Sequence, residues 1–401
     1  MTTYDILLKD GQIIDPSQGM NKKCSLAIRD GKIATIAEKI DESTAQEVFD
    51  LEGKIITPGL IDLHCHPVAE FWSKGVPADE TGLDTGVTHL CDAGSSGSAN
   101  FEALRRLVIE QARTEITCFL NLSKTGFLRT PEIVGEYDIN LHETKEIVEA
   151  NRAIIKGIKI RAIQALADNL GMRGVEMAKS LAADLNVPLM LHIGETRRRV
   201  PNDPMGEFSR GAVSILDQGD ILSHYLTWEP GGMILEGGTV YPELERAMER
   251  GVILDSCHGL NHFSFRVARY AIARGIIPTV ISTDLSLVGL RVVQSLPVVI
   301  SKFVNLGLSL DQVIGMTTLN PAKVLREENR IGTLMIGKDA NITVMELLRG
   351  QYRFGDGAGG NFLNGEILLE PRMVFRNGKP APAYSRYQIP SQSIPCSEDF
   401  S

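Results

Sequence analysis

Two histidines, His64 and His66, stand two residues apart at the end of an apolar run that begins at Leu60. In an extended strand this spacing places both imidazoles on one face, where they can bind a single metal ion. Asp62 shares their parity and is predicted to orient one of the rings. Because an isolated pair of this kind is a weak signal, its meaning depends on further ligands at the ends of later strands.

Later apolar runs supply such side chains. His192, His224 and Asp284 end the runs that begin near residues 188, 220 and 279, and each is a polar group after an apolar strand pattern. Neutral imidazoles and a carboxylate suit Zn²⁺ or a similar divalent ion. In the run 154–161, Lys159 and Arg161 share one face by strand alternation. The sequence therefore predicts a metal site assembled from several strands.

Lys159 is a special case, because an ammonium group cannot bind a cation. A lysine held in a dry, metal-facing position loses its proton more readily than one in water. The neutral amine can then add carbon dioxide to give a carbamate, whose two oxygens can bridge two metal ions. Lys156 lies nearby on the same run, but its parity points to the opposite face.

The elements that must position these groups form a repeating pattern through the middle of the chain. Eight apolar runs alternate with amphipathic helical segments, which predicts a (β/α)8 TIM barrel with the polar strand ends at one rim. A doubly wound open sheet is the alternative, but it usually has a Gly-rich turn after the first strand, and none follows here. The runs lie near residues 60–66, 87–92, 116–122, 154–160, 188–194, 220–226, 252–257 and 279–284.

The two ends of the chain carry a different pattern, of short apolar strands around turn residues. Asp10-Gly11 and Asp30-Gly31 each lie between apolar runs, which predicts hairpins, and similar strands occur between residues 334 and 379. We therefore predict a small β-sandwich domain from both termini. The predicted domains are residues 1–57 with 328–385, the barrel at 58–327, and a loosely ordered tail at 386–401.

Composition narrows the function classes. The chain has 401 residues, 43% of them hydrophobic, and a net charge of −9, which argues against a nucleic-acid partner or an anionic membrane surface. No signal peptide and no apolar run of about 18 residues is visible, so a membrane span is not expected. Six cysteines without CxxC spacing indicate reduced thiols. We expect a cytoplasmic homo-oligomer that binds a small anionic molecule.

The complete set, His64-x-His66 with Lys159, His192, His224 and Asp284, resembles the binuclear amidohydrolase superfamily, which includes dihydroorotases, hydantoinases and deacetylases. Further segments resemble its dihydroorotase-like branch, which includes deacetylases of acetylated hydroxy or amino carboxylates. Asn261-His262 departs from the pattern of that branch. The segments that carry the likeness are Asp92-Ala-Gly-Ser-Ser-Gly97, Gly157-Ile-Lys-Ile-Arg161, His258-Gly259 and Ser264-Phe265.

The resemblance implies two divalent metal ions, most simply Zn²⁺. One would be held by His64, His66 and Asp284, and the other by His192 and His224, with N6-carboxylated Lys159 as the bridging ligand. A hydroxide between the metals would attack the substrate, and Asp284 would transfer the proton. The predicted substrate contacts are Arg161, gripping a carboxylate, with Ser95, Ser96 and His258 lining the pocket.

Several functions fit this site. The favoured one is a metal-dependent amidohydrolase that removes the acetyl group from the amide or ester of a small carboxylate. A cyclic amide hydrolase of the dihydroorotase or hydantoinase type is the second. A nucleobase (adenine) deaminase is less favoured, because mononuclear deaminases usually lack the strand-four lysine. A metal-free scaffold on the same fold is disfavoured by the complete ligand set. His89, His142 and His262 are predicted not to bind metal.

Overall fold

The computed structural model describes residues 3–195, 205–235, 237–357 and 359–389, so most of the predicted tail lies outside the described residues. Strands dominate both ends of the chain, and strands and helices alternate between them. The strands are β1 (Tyr4–Asp15), β2 (Met20–Arg29), β3 (Lys32–Ala37), β4 (Ala45–Asp50), β5 (Ile55–Pro58), β6 (Leu60–Cys65), β7 (Val87–Ala93), β8 (Glu115–Asn121), β9 (Ile155–Arg161), β10 (Leu189–His192), β11 (Ile221–Ser223), β12 (Ile253–Asp255), β13 (Ile342–Gly355), β14 (Phe362–Arg376) and β15 (Lys379–Pro382).

The helices follow the barrel strands and cover their outer face. Within the described parts of the chain, no helix is both long enough and apolar enough to cross a membrane. The helices are α1 (Ala78–Thr81), α2 (Phe101–Leu104, continued by a π-helical turn at Arg105–Ile109), α3 (Leu141–Ala150), α4 (Gln164–Asn169), α5 (Met172–Leu185), α6 (Met205–Ser214), α7 (Pro242–Glu249), α8 (Phe265–Ala273), α9 (Leu290–Val293), α10 (Leu296–Asn305), α11 (Leu310–Thr317) and α12 (Leu319–Val324).

The central sheet is parallel and runs in sequence order from β6 to β12, which confirms the predicted α/β class. The eighth predicted strand, near 279–284, is instead an irregular segment. Single bridges join Val280 to β12 and Leu285 to β6, so this segment spans the gap between the two outer strands. The segment does not form a regular ladder of strand hydrogen bonds, because the Thr283 amide donates to the Asp62 carboxylate at 3.1 Å. In addition, Asp284 has a φ of +50°, which is outside the strand conformation.

Strand alternation divides the barrel into an inner and an outer layer. Ile158 and Ile160 of β9 pack in the outer apolar cluster with the helices, as their parity predicts. The inner layer contains Ile61, Phe119 and Met190, and residues of α12 close its base. Position 157 faces the inner layer and requires glycine, because a Cβ there would lie 2.3 Å from the Phe119 ring.

The second sheet joins both ends of the chain, as predicted. Its strands follow the order β15-β14-β13-β5-β1-β2-β3, and β4 pairs with the first half of β1. All eight strands belong to one hydrogen-bonded sheet, so the two-layer sandwich and the domain limits stay predictions. Asp30-Gly31 and Asn377-Gly378 form the tight connections β2–β3 and β14–β15.

The predicted hairpin at Asp10-Gly11 is wrong. These residues lie inside the continuous strand β1, at a register shift against β2, and Asp10 has a φ of +61°. They form an irregularity in the strand because Gly11 leaves room for the Ile56 side chain, whose Cδ1 lies 2.4 Å from where a Cβ would be. The Asp-Gly pair therefore bends a strand here and does not reverse it.

Candidate metal centre

The six predicted ligands converge at the carboxyl ends of the barrel strands. His64 lies in β6 and His66 directly follows it, Lys159 lies near the end of β9, and His192 ends β10. His224 follows β11, and Asp284 lies in the irregular eighth segment. The imidazole centroids of His192 and His224 are 4.3 Å apart, and those of His64 and His224 are 5.4 Å apart. Lys159 Nζ lies 3.2 Å from His64 Nε2. One rim of the barrel therefore gathers side chains that are far apart in the sequence.

The outer nitrogens of three of these rings are held by neighbouring groups. His64 Nδ1 lies 3.1 Å from Asp255 Oδ2, His66 Nδ1 lies 2.9 Å from Ser95 Oγ, and His224 Nδ1 donates to the Cys257 carbonyl at 2.8 Å. Each contact fixes the ring orientation and leaves Nε2 facing the cluster, the arrangement expected of metal-binding histidines.

Asp255, at the end of β12, was not anticipated from the sequence. It is fully buried and accepts hydrogen bonds from Ser223 Oγ at 3.1 Å and Ser282 Oγ at 2.5 Å besides contacting His64. Burial raises its pKa to about 6, against the opposing effect of these hydroxyl donors. Asp62, which was expected to orient a ring, instead holds Thr283 through its amide and its hydroxyl. The orienting role therefore belongs to Asp255.

His192 provides the clearest sign that this rim is built to bind an ion. Its Nε2 is buried and has no hydrogen-bond partner among the described residues. Buried polar atoms in native proteins almost always have a partner, so an unpaired imidazole nitrogen beside His224 fits a site built for an ion. Burial lowers the pKa of His64, His192 and His224 well below the usual range, which keeps these rings neutral and able to bind metal.

Asp284 carries the negative charge of the centre. Its Oδ1 lies 3.1 Å from His66 Nε2 and 3.8 Å from His64 Nε2. Burial raises its pKa, but the hydrogen bond with His66 and the neighbouring imidazoles outweigh that effect and bring the pKa to about 2. The pKa of His66 is raised. Burial lowers this pKa, but the neighbouring carboxylates of Asp284 and Asp92 outweigh burial.

Lys159 is fully buried, and burial lowers its pKa to about 8. Among the described residues, no carboxylate lies within ion-pairing distance of its ammonium group. This environment makes the neutral amine, the form that carbon dioxide modifies, more accessible than it is in water. Carboxylation of Lys159 stays a prediction.

The tightest group of potential ligands differs from the predicted division. His64, His224, Cys257 and Asp284 each offer one ligand atom, and these four atoms all lie within 4.8 Å of one another. The sequence prediction had placed His64 and His224 on different ions and had not considered Cys257. The buried, convergent donor set fits a divalent metal of the zinc type.

A cavity of about 370 Å³ opens above these ligands. One wall is apolar and includes Trp72 and Phe127, whose rings are 5.3 Å apart. The other wall carries Arg161, His262 and Asp284. A pocket of this size accepts a small molecule with both an apolar and a polar part.

Arg161 reaches the cavity but is also paired. Its guanidinium makes a two-pronged contact with the buried Glu132, with Nη2 2.7 Å from Oε2, and stacks on Phe127 at 5.1 Å. Among the described residues no acceptor contacts Nη1 of Arg161. Glu132 therefore fixes the plane of the guanidinium while one edge stays available to the cavity.

The other predicted substrate contacts lie elsewhere. Ser95 is buried and contacts His66, while the Ser96 hydroxyl is buried with no described partner. His258 is fully buried, receives a hydrogen bond from Lys302 Nζ at 2.8 Å and donates to the Gly259 carbonyl at 2.8 Å. Both ring nitrogens of His258 are therefore engaged inside the protein, and this geometry does not support a substrate contact.

His262, which is predicted not to bind metal, lies beside the predicted ligands. Its ring is 4.5 Å from that of His224 and 4.8 Å from that of His192, and it lines the cavity. The only sequence feature that drew attention to His262 was that Asn261-His262 departs from the pattern of the dihydroorotase-like branch. Burial lowers the pKa of His262 to about 4, so the ring is neutral at physiological pH.

Comparison with known proteins places this site in a family. Residues 55–381 match the amidohydrolase family. A deacetylase of Agrobacterium fabrum is 34% identical over 368 residues, which cover 89% of this chain and 86% of that protein. A dihydroorotase crystal structure shares 33% identity at a TM-score of 0.85 and covers 96% of this chain and 99% of its own.

An adenine deaminase structure has the same TM-score of 0.85, with 26% identity over 94% of this chain and 100% of its own. Each of these matches covers at least 89% of this chain. The chain therefore belongs to the amidohydrolase superfamily, in its dihydroorotase-like and deacetylase branch, and is a metal-dependent hydrolase of carbon–nitrogen bonds.

Proposed function

We propose that the protein is a deacetylase that hydrolyses the amide or ester of a small acetylated carboxylate. Its centre holds two divalent ions, with Zn²⁺ as the native metal. His64, His66 and Asp284 would hold one ion, His192 and His224 would hold the other, and N6-carboxylated Lys159 would be their shared ligand. The observation that carries this proposal is the convergence of ring nitrogens beside a lysine without an acidic partner among the described residues. The extended likeness to a deacetylase supports the acyl substrate.

Bound ions supply the Lewis acid and lower the pKa of water toward neutrality. The protein side chains then have separate tasks. Asp284 is ionised and about 19% exposed toward the cavity, so its carboxylate accepts a proton and returns it to the leaving nitrogen or oxygen. Asp255 keeps the His64 ring in place through the Nδ1 contact. Ser95 does the same for His66.

The cavity walls suggest how an acetylated carboxylate is oriented. The Nη1 edge of Arg161 grips the substrate carboxylate, and Glu132 keeps the guanidinium in the correct plane. Trp72 and Phe127 pack against the apolar part of the substrate. His262 lies between the histidines and the cavity, where it contacts the acyl end. The carboxylate and the acetyl group are thus bound by different side chains of the cavity.

A substrate panel tests this proposal. The purified, zinc-loaded protein is assayed with N-acetyl amino acids, O-acetylated hydroxy acids, dihydroorotate, hydantoin and adenine. We expect acetate release from one of the acetylated classes and no turnover of adenine. Preferred turnover of dihydroorotate or hydantoin would establish the cyclic amide alternative, which the likeness to a dihydroorotase favours. Ammonia release from adenine would overturn both.

Two further predictions concern the protein as a whole. We propose a cytoplasmic enzyme that works as a homo-oligomer on a small anionic substrate, without a nucleic-acid or membrane partner. The net charge of −9 supports the absence of phosphate-rich partners. Light scattering of the purified protein gives the oligomeric state, and a mass of one chain would contradict the homo-oligomer.

A further inference from the structure

Cys257 stands within the metal-binding rim and has not been given a role. Its Sγ lies 3.4 Å from His224 Nε2. Two ligands of one tetrahedral zinc ion, bound at ~2.3 Å through sulfur and ~2.0 Å through nitrogen, lie roughly 3.5 Å apart. The thiol and this imidazole are within hydrogen-bonding distance, and the same separation fits two ligands that share one ion. His64 and Asp284 complete the compact group of four potential ligands.

The surroundings of Cys257 differ from those of the other described cysteines. Cys24, Cys65, Cys91 and Cys118 all lie in apolar core clusters. Cys257 is fully buried but belongs to none of these clusters, and its neighbours are imidazoles and carboxylates. Packing accounts for the first four thiols and does not account for Cys257.

The backbone at Cys257 gives an independent indication. Its φ is +38°, in the left-handed region that glycine adopts most readily and other residues adopt at a cost. Strained non-glycine residues of this kind concentrate at functional sites. The backbone here also serves the centre, because the Cys257 carbonyl accepts the hydrogen bond from His224 Nδ1. Both the carbonyl and the thiol thus face the same imidazole, one on each of its nitrogens.

We propose that Cys257 is a ligand of the metal centre, binding as a thiolate the ion that His192 and His224 hold, beside His64 and Asp284 of the neighbouring ion. This inference rests on the proposed metal centre and deepens it. On binding, the S–H bond breaks, a sulfur–metal bond forms, and the proton leaves to solvent. A thiolate favours borderline-soft ions such as Zn²⁺ over Mg²⁺ or Mn²⁺, so Cys257 selects the type of metal.

Cobalt substitution tests the inference without reference to activity. The full chain is stripped of metal and loaded with Co²⁺, because thiolate ligation produces intense sulfur-to-cobalt charge-transfer absorption in the near ultraviolet. We expect this band in the unmodified protein, its loss in Cys257→Gly and in Cys257→Ser, and its retention in the matched control Cys91→Ala. We also expect Cys257→Gly to bind Zn²⁺ at least about 100-fold more weakly.

Cys257→Gly is the informative variant because glycine adopts the local backbone without strain. In Cys257→Gly, relief of backbone strain opposes the cost of a small cavity and of a more flexible unfolded chain, so the metal-free variant is expected to unfold close to the metal-free parent. Thermal unfolding of both checks that weak metal binding is not a folding defect. Stoichiometric cobalt binding without the charge-transfer band would overturn the role of Cys257 and leave the metal centre intact. Failure to bind cobalt at all would overturn the proposed metal centre as well.

Discussion

Strand β9 carries two lysines whose surroundings differ completely. Lys156, near its start, lies at the base of the barrel with its Nζ 2.5 Å from Glu327 Oε1. Lys159, near its end, faces His64 at the opposite rim. The same contrast holds for the two ends of the barrel. At the base, opposite charges pair with each other, whereas at the mouth ligand atoms converge on a common point.

Other groups at the base follow this rule. Glu115, at the start of β8, contacts Arg330 at 2.5 Å and Arg376 of β14 at 3.3 Å. Asp220, before β11, accepts from Lys179 at 2.5 Å and from the Leu189 amide at 2.9 Å. The base therefore links strands, helices and the second sheet. This comparison indicates that the ion pairs at the base of the barrel stabilise the fold. At the mouth, potential ligand atoms face one another and are available for chemistry.

The largest effect is expected from the two lysines themselves. Lys159→Met should lower hydrolysis at least about 100-fold, because it removes the proposed shared ligand of the metals. Its free energy of unfolding should not fall, since an apolar side chain is easier to bury than an amine. The matched variant Lys156→Met should keep its activity and lose about 1 kcal/mol of stability. Steady-state kinetics and urea unfolding measure both, and equal activity loss in the two variants would break the comparison.

A second pair of variants compares two buried carboxylates. Asp255→Asn removes the charge that orients His64 and should weaken metal affinity about 10- to 100-fold. Asp220→Asn removes a buried charge at the base and should reduce stability with metal affinity unchanged. Competition with a chelator gives the affinities. Equal metal affinity in Asp255→Asn and the parent protein would show that the His64 contact does not matter for binding.

A smaller effect is expected at the substrate end of the mouth. Arg161→Met should raise the KM for an anionic substrate about 10-fold with a smaller change in kcat, since one charge-assisted hydrogen bond is lost. A neutral ester analogue serves as the control and should be affected little. An unchanged KM for the anionic substrate would assign Arg161 entirely to its ion pair with Glu132.

The smallest effect concerns the base at low pH. Burial raises the pKa of Glu115, but His89 and the Arg330 contact outweigh it, so the pKa falls to about 2 from 4.5. Because the folded pKa is depressed, the stabilisation is present above pH 4.5 and is lost as the pH falls toward 2. Glu115→Gln should therefore flatten the stability profile between these values, by about 1–2 kcal/mol after solvent screening. An unchanged acid limb would contradict the pairing.

Sequence reasoning succeeded where strands are regular. The parity of β6 and β9 predicted that His64 and His66 share a face and that Lys159 and Lys156 oppose each other, and the structure has both arrangements. Alternation is a local property, so it can be read from a single segment. The division into a barrel and a sheet built from both termini followed from the same patterns.

Sequence reasoning fell short where the surroundings of a group depend on other segments. Asp255 ends β12, but its contact with His64 of β6 depends on how the barrel closes, so this contact was missed. Cys257 has a φ of +38°, and strand parity does not describe where such a turn directs a side chain. His262 reaches the cavity from a loop, to which strand parity does not apply either. The eighth segment is irregular because the Thr283 amide donates its hydrogen bond to the Asp62 carboxylate and not to a neighbouring strand.

The central claim is that the mouth of the barrel holds a metal centre bridged through Lys159. Elemental analysis of the purified protein tests it most directly, with Lys156→Met as the control. The account predicts about two divalent ions per chain in the parent and the control, and a marked loss in Lys159→Met. Full hydrolytic activity after complete removal of divalent ions, or equal metal content in both lysine variants, would contradict it.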